Sequence, residues 1–365
     1  MKKSYYFKFT LNLIIIFTFS FTKVYSQEAN NYIKNNFSVD KLQLEARFDF
    51  DYLHNLDANT NNYGFGGKYL NFILDGKFND KLSYSYRQRI LPNKGGKTFF
   101  DGTDWIYLSV HFNKNFTLSS GKLPVAIGGF EYDAPPIDVY YWSNFWENIL
   151  CYELGTQLSF TDDKKQNTLS FQLVNSPYSG VRYVEESNSF EQIGSAIDKK
   201  FCYSLIWYGN YKHLQTIYSV NMLQNHNNKF VNYISLGTKF LYNDFSMYLD
   251  VMNRAANFDD FFFKNYTIIS RVDYRVLDNL NIFVKGGIDR NNTEETILPI
   301  NYSDIFVLPG TKYNFIGIGT EFFALNEKIR LHSYFAYNNS NNNNNLVCSL
   351  GLTWRMNFAQ LIKNN

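Results

Sequence analysis

The chain has few of the residues that would mark a disulfide scaffold, a metal centre or a catalytic site. Its 365 residues include three cysteines, five histidines, five tryptophans and seven prolines. Cys151, Cys202 and Cys348 are odd in number and lack metal-ligand spacing. An exported disulfide scaffold would carry cysteines more densely, so small apolar filling is their expected role. His54, His111, His213, His226 and His332 are scattered without an i,i+4 pair, which argues against a dedicated metal site. His111 and His332 are expected to face inward near turns and to serve in hydrogen bonding. No Gly-x-Ser-x-Gly elbow occurs. Gly64-Phe65-Gly66-Gly67 lacks the strand–helix context of a phosphate loop and reads as loop flexibility. No cofactor is expected. A surplus of one charge is missing as well: 35 Lys+Arg stand against 33 Asp+Glu, and no basic cluster points to nucleic acid.

Long hydrophobic runs are confined to the N-terminus. Lys2 and Lys3 precede an apolar stretch from Leu11 to Phe21, and Val24-Tyr25-Ser26 before Gln27 forms a cleavage site. Residues 1–26 therefore read as an export signal, too short in its apolar part to cross a bilayer as a helix. Their removal takes four lysines from the 35 basic residues, leaving 31 against 33 acids and a net charge of about −2. Beyond residue 26 no run is long enough for a transmembrane helix, so a membrane-spanning mature chain must be a closed barrel.

What the chain does have is aromatic residues, 29 Tyr and 35 Phe, and period-2 alternation from residue 40 onward. In the first strand Leu42, Leu44, Ala46, Phe48, Phe50 and Tyr52 share one face. Lys41, Gln43, Glu45, Arg47, Asp49 and Asp51 share the other. The last strand, through Leu346, Cys348, Leu350, Leu352, Trp354, Met356 and Phe358, repeats the pattern. Fourteen further segments bring the count to about sixteen, although 116–124 and 201–209 alternate poorly. Seven short polar connections, such as Asn79-Asp80-Lys81 and Asn243-Asp244, interleave with long ones near 53–66, 91–102, 125–150, 176–200, 224–231, 254–264, 290–313 and 338–344. Turns sorted by length predict a single all-β transmembrane barrel, with tight periplasmic turns, long outer loops and both termini in the periplasm. A soluble sandwich would not sort its turns this way. The expected organisation is a signal at 1–26, a polar lead-in at 27–38 and the barrel at 39–365.

In such a barrel the apolar parity meets outer-membrane lipid and the opposite parity lines the lumen. The expected lumen carries Arg47, Arg87, Arg89, Arg271, Arg275, Lys285, Arg330 and Arg355. Against them stand Glu45, Asp49, Asp51, Asp75, Glu153, Asp250, Asp273, Asp289 and Glu321. Sixteen strands leave room for an aqueous channel. The loop at 125–150 is rich in aromatics, with Gly128-Gly129 permitting tight turns and Pro135-Pro136 stopping any ladder. It is expected to fold into the lumen, with Phe130, Glu131, Tyr132, Asp133, Asp138 and Tyr140 forming a constriction. Three of these are carboxylates that could suggest acid–base chemistry, but beside prolines in an aromatic loop they more simply pin it to wall arginines. No enzymatic activity is expected.

Several runs carry a family likeness: Phe99-Phe100-Asp101-Gly102-Thr103-Asp104-Trp105, Gly121-Lys122, Ala126 through Asp133, Pro136-Ile137-Asp138-Val139-Tyr140 and Asn175-Ser176-Pro177. They resemble the phosphate-selective porin O and P family, in its Bacteroidetes branch. The resemblance implies a sixteen-stranded, trimeric barrel in the outer membrane of a Gram-negative bacterium, with its third loop in the pore. It implies passive passage of small hydrophilic solutes, anions such as phosphate among them. One departure stands out: similar sequences place a basic residue after the Tyr-Asp pair, where this chain has Ala134 and Pro135. The expected lumen also holds eight basic against nine acidic groups, whereas phosphate selectivity needs a basic ladder. The alternative is a barrel plugged by its third loop, acting as a surface-binding or structural protein.

Overall fold

A computed structural model of the chain describes residues 37–90, 102–177, 181–184, 189–192, 199–224, 230–255, 264–292, 310–325, 328–341 and 343–359. The export signal, most of the lead-in and Phe99 to Asp101 lie outside the described residues.

Sixteen antiparallel strands close into a barrel. The first half comprises β1 (Ser38–Asn55), β2 (Thr60–Asn79), β3 (Leu82–Arg89), β4 (Thr103–His111), β5 (Phe116–Pro124), β6 (Tyr152–Thr161) and β7 (Asn167–Asn175). A separate hairpin, β8 (Val181–Val184) with β9 (Ser189–Gln192), follows within the fourth long connection. The barrel continues with β10 (Phe201–Asn210), β11 (Leu214–Gln224), β12 (Phe230–Tyr242), β13 (Phe245–Ala255) and β14 (Asn265–Leu277). It ends with β15 (Leu280–Asn291), β16 (Lys312–Ala324), β17 (Ile329–Ser340) and β18 (Asn343–Asn357). β18 pairs with β1 in continuous register from Gln43↔Asn357 to Asn55↔Asn345, so no edge remains. Seven of the tight turns lie at one end; Asn243, at a positive φ of 49°, shows why Asn suits a two-residue hairpin.

Parity sorts the side chains as a membrane requires. Phe171, Leu205, Ile316 and Leu350 are 51%, 48%, 60% and 66% exposed on the outer face, the position of lipid. Arg47, Asp250 and Asp289 are buried inside. The two poorly alternating strands have distinct physical causes. In β10, Cys202 and Ile206 point inward yet are fully buried, because that part of the wall meets protein rather than water. In β5, Ser120 and Lys122 pair with Leu108 and Ile106 on the outer face, so polar groups interrupt the lipid side.

Two connections expected to be long loops are instead extended hairpins. β1 and β2 run on to a turn at residues 56–59, and β17 extends to Ser340 while β18 starts already at Asn343. The glycines of 64–67 are absorbed as strand beside a register shift at Arg47/Phe48. The asparagine run forms a cross-strand ladder: Asn345 donates to Asn338 at 3.1 Å and Asn339 to Asn344 at 2.8 Å. The tips are joined where the Asn344 amide donates to Asp57 at 2.6 Å.

Candidate functional site

The connection from β5 to β6 turns into the lumen and follows the inner wall. Its first stretch lies against β7 and β11: the Ala126 amide donates to Gln172 at 2.8 Å, the Gly128 amide to Ser219 Oγ at 2.8 Å, and Asn221 donates to the Ala126 carbonyl at 2.7 Å. Glycine is required here. A Cβ on Gly128 would sit 2.6 Å from the Ile217 carbonyl, and Gly129 has a φ of 104° with Met252 in the same space. A single helical turn, α1 (Phe130–Asp133), then places the Phe130 and Glu131 amides on the Asp250 carboxylate of β13, at 2.9 and 2.8 Å.

Ala134-Pro135-Pro136 carries the chain across the lumen to the opposite wall. There Asp138 meets Arg330 of β17 at 2.6 Å and also Arg355 of β18. Arg47 of β1 donates to the Val139 carbonyl at 2.8 Å, and Arg47 and Arg330 lie over the Tyr140 ring at 4.8 and 5.3 Å. Tyr140 donates to Glu321 at 2.7 Å. The return runs over β15, where Lys285 reaches Glu131 at 2.6 Å and the Asn144 amide donates to Asp289 at 3.0 Å. A second short turn, α2 (Asn144–Glu147), is capped by Ser143 and buries Phe145 against Tyr233 of β12, with Arg254 at 5.1 Å.

These anchors lie on β1, β7, β11, β13 and β15 to β18, and the lumen is filled unequally as a result. Over β11 to β16 the loop and wall enclose a buried apolar layer including Phe145, Ile149, Tyr233, Met252, Ile269 and Phe315. Two open compartments lie among the described residues. The larger, about 910 Å³, faces β1 to β6. The smaller, about 570 Å³, faces the turn end of β12 to β17, beneath Glu131 and Val139. They share only Asp133, Ala134, Pro135 and Asp138, so the crossing segment is the partition between them.

Over residues 41–244, more than half its length, the chain matches the phosphate-selective porin O and P family. The chain belongs to that family. It is accordingly an outer-membrane porin, a diffusion channel rather than an enzyme. No curated protein matches it in sequence. Among solved structures it is similar to the outer-membrane channel DcaP of Acinetobacter baumannii, with a TM-score of 0.61 and 11% identity over 88% of this chain and 98% of that one. The anion-selective porin from Comamonas acidovorans gives a TM-score of 0.61 and 9% identity over 88% and 100%. OmpT of Vibrio cholerae in its trimer form gives 0.55 and 11% over 87% and 100%. At such identities the likeness is one of fold.

Within the porin the expected lumen charges meet one another and the loop. Arg47 binds Asp49 at 2.6 Å, and His332 of β17 reaches the same carboxylate at 3.0 Å. Glu45 accepts from Asn71 at 2.9 Å and lies 3.6 Å from Arg355. Arg87 and Arg89 converge on Asp104 at 3.1 and 3.0 Å. Arg271 pairs with Asp273 at 2.7 Å and Glu321 at 3.3 Å. Arg275 lines the smaller compartment near the turns and makes no ion pair among the described residues. In the loop, Glu131 and Tyr140 are buried anchors, Phe130 lies 5.7 Å from the Lys239 ammonium, and Tyr132 donates to the Leu150 carbonyl at 2.9 Å. Asp133 and Asp138 line open space. Burial raises the Asp133 carboxyl above its usual range, with Lys239 opposing. For Asp138 burial also acts upward, but Arg330 and Arg355 outweigh it and hold the carboxyl below the usual value.

Asp104 and Arg254 are functional neighbours that parity misses. Asp104 sits in a register shift between Arg87 and Gln88, which breaks the alternation that would have placed it. Arg254 lies at the end of β13, where the alternating pattern runs out. The three cysteines form no disulfide.

Proposed function

We propose that this porin passes small hydrophilic solutes passively along the β1 to β6 side of its lumen. The observation that carries the reading is the unequal filling: the far side is packed with buried apolar side chains, while a compartment of about 910 Å³ stays open opposite it. The smaller compartment is roofed by the loop and forms a recess toward the periplasm. Because most cations on the wall are matched by carboxylates, permeation is set mainly by size, and phosphate passes without a dedicated ladder. Glu131 and Asp138 hold the loop to the wall, a structural use of these carboxylates, and we propose no enzymatic activity. Single-channel recording of the mature protein in a planar bilayer tests this. Stable ohmic steps with a small reversal potential under a salt gradient are expected. Folded barrels without current would favour the plugged barrel, and a strong anion potential with inhibition by phosphate would restore a dedicated anion path.

We infer a homotrimer associating through β3 to β6. Lys122 lies six residues above Phe116, about 14 Å up a strand tilted by 45°, hence in the middle of the apolar band. A lysine facing lipid there costs about 2–4 kcal/mol, of which the bond from the Lys122 ammonium to the Thr103 carbonyl at 2.6 Å offsets a part. Strands β3, β4 and β5 have 8, 9 and 9 residues, which rise only about 19–21 Å against a band of about 25 Å. A neighbouring subunit covering this sector removes both penalties. Lys122→Glu is expected to weaken the oligomer at least tenfold in detergent, read by native mass spectrometry. A monomeric parent protein in that measurement would overturn the inference.

A further inference from the structure

The larger compartment has a chemistry that the ion pairs leave exposed. Along it Arg87 is engaged by Asp104, Arg355 by Asp138, and Asp75 accepts from Ser85 at 2.6 Å. Asp40, Lys41 and Lys77 make no ion pair among the described residues but stand at the turn-end rim, and Asp133 lies on the crossing segment; the wall between them meets a solute with rings and neutral polar groups. Trp105, Tyr107 and Tyr152 of the wall and Tyr132 and Trp146 of the loop line the same space, all half-buried. Trp105 is fixed in place: its indole donates to Ser85 Oγ at 2.8 Å, and the Arg87 guanidinium stacks on it at 4.9 Å. Its centroid lies 5.9 Å from that of Tyr152. Trp146 is braced by Trp142 at 5.3 Å. Ser109, Ser119 and Gln157 add neutral donors and acceptors to the same lining.

Rigid aromatic faces bordered by hydroxyls and amides suit a solute with apolar ring faces and a polar rim. They suit a small multivalent anion less well, because that needs a ladder of unpaired cations and here the two unpaired lysines, Lys41 and Lys77, stand only at the rim. Fixed rings also bind at low entropic cost, because no side chain must be ordered on contact. We propose that the β1 to β6 compartment is a recognition site for uncharged ring saccharides, and that such sugars are solutes this porin passes preferentially. The proposal rests on the diffusion path given above and supplies its substrate class. Trp146 on the loop and Trp105 on the wall are the two stacking platforms.

The test is interruption of salt current through the membrane-inserted protein by cellobiose, compared with a polyethylene glycol of the same mass. Cellobiose is expected to produce resolved, concentration-dependent closures, and the glycol only a proportional loss of conductance. Trp146→Ala and Trp105→Ala are each expected to raise the half-blocking sugar concentration about five- to tenfold, while Trp146→Phe stays within about twofold. Cellobiose no more effective than the glycol, in a channel that conducts salt, overturns the saccharide site. Inorganic phosphate blocking at lower concentration than cellobiose also overturns it, in favour of an anion site. Folded barrels that carry no salt current would instead remove the diffusion path on which the site depends.

Discussion

Valine at position 237 is expected to push the third loop off the wall and widen the channel. Gly237 lies on β12, where valine is a favourable strand residue. Its added Cβ, however, would stand 2.7 Å from the Gly129 Cα and 2.7 Å from the Asp250 carboxylate. Asp250 holds the amides of α1, so one substitution strikes both the backbone of the loop and the group that fixes it. Overpacking of this kind costs about 1–3 kcal/mol, and the loop, being the smaller body, gives way before the barrel. Single-channel conductance of Gly237→Val should rise about twofold or more, with the heat-dependent gel shift of a closed barrel retained. Unchanged conductance together with unchanged stability would show that the loop does not restrict the path.

The second large effect is expected at Glu131. This carboxylate is 1% exposed and meets Lys285 at 2.6 Å, while accepting the Ser143 amide at 3.1 Å. Truncation in Glu131→Ala strands a buried ammonium beside the apolar layer, a change that typically costs about 3–5 kcal/mol. Urea unfolding of the refolded porin should register the loss, and protease should cut the loop faster. The double variant Glu131→Ala with Lys285→Met is expected to recover much of the stability, because the charge that needed a partner is gone. If the double variant is as unstable as the single one, the loop is held by shape and the ion pair is incidental.

The barrel was legible because its physics has a period of two. Each strand must show lipid one parity and the lumen the other, and turn length distinguishes the two ends. The same rule obscured what the loop does to the wall. Val174, Cys202, Leu223, Val231, Met252 and Ile269 point inward and are apolar, which in isolation reads as broken alternation. Their partner is a segment distant in sequence whose path no local pattern encodes. Asp138 between two arginines follows from charge and composition. Glu131 with Lys285, 154 positions apart, depends on how the loop returns after Pro135-Pro136. Gly64 to Gly67 looked like a loop because glycine is weak in strands, yet pairing with β1 outweighed that preference.

The seam between β1 and β18 bears on how the protein assembles. It joins residues about 300 positions apart, and thirteen consecutive pairs hold it, from the periplasmic end to the tied hairpin tips. Every other barrel neighbour except β7 and β10 is joined through a single connecting segment, so those pairings can form locally and early. The terminal pairing cannot begin until both ends have been made, and the entropy of closing so large a loop must be met at once. Its length is therefore a kinetic feature: a ring that has closed along the whole seam reopens slowly, whatever becomes of the short strands opposite it.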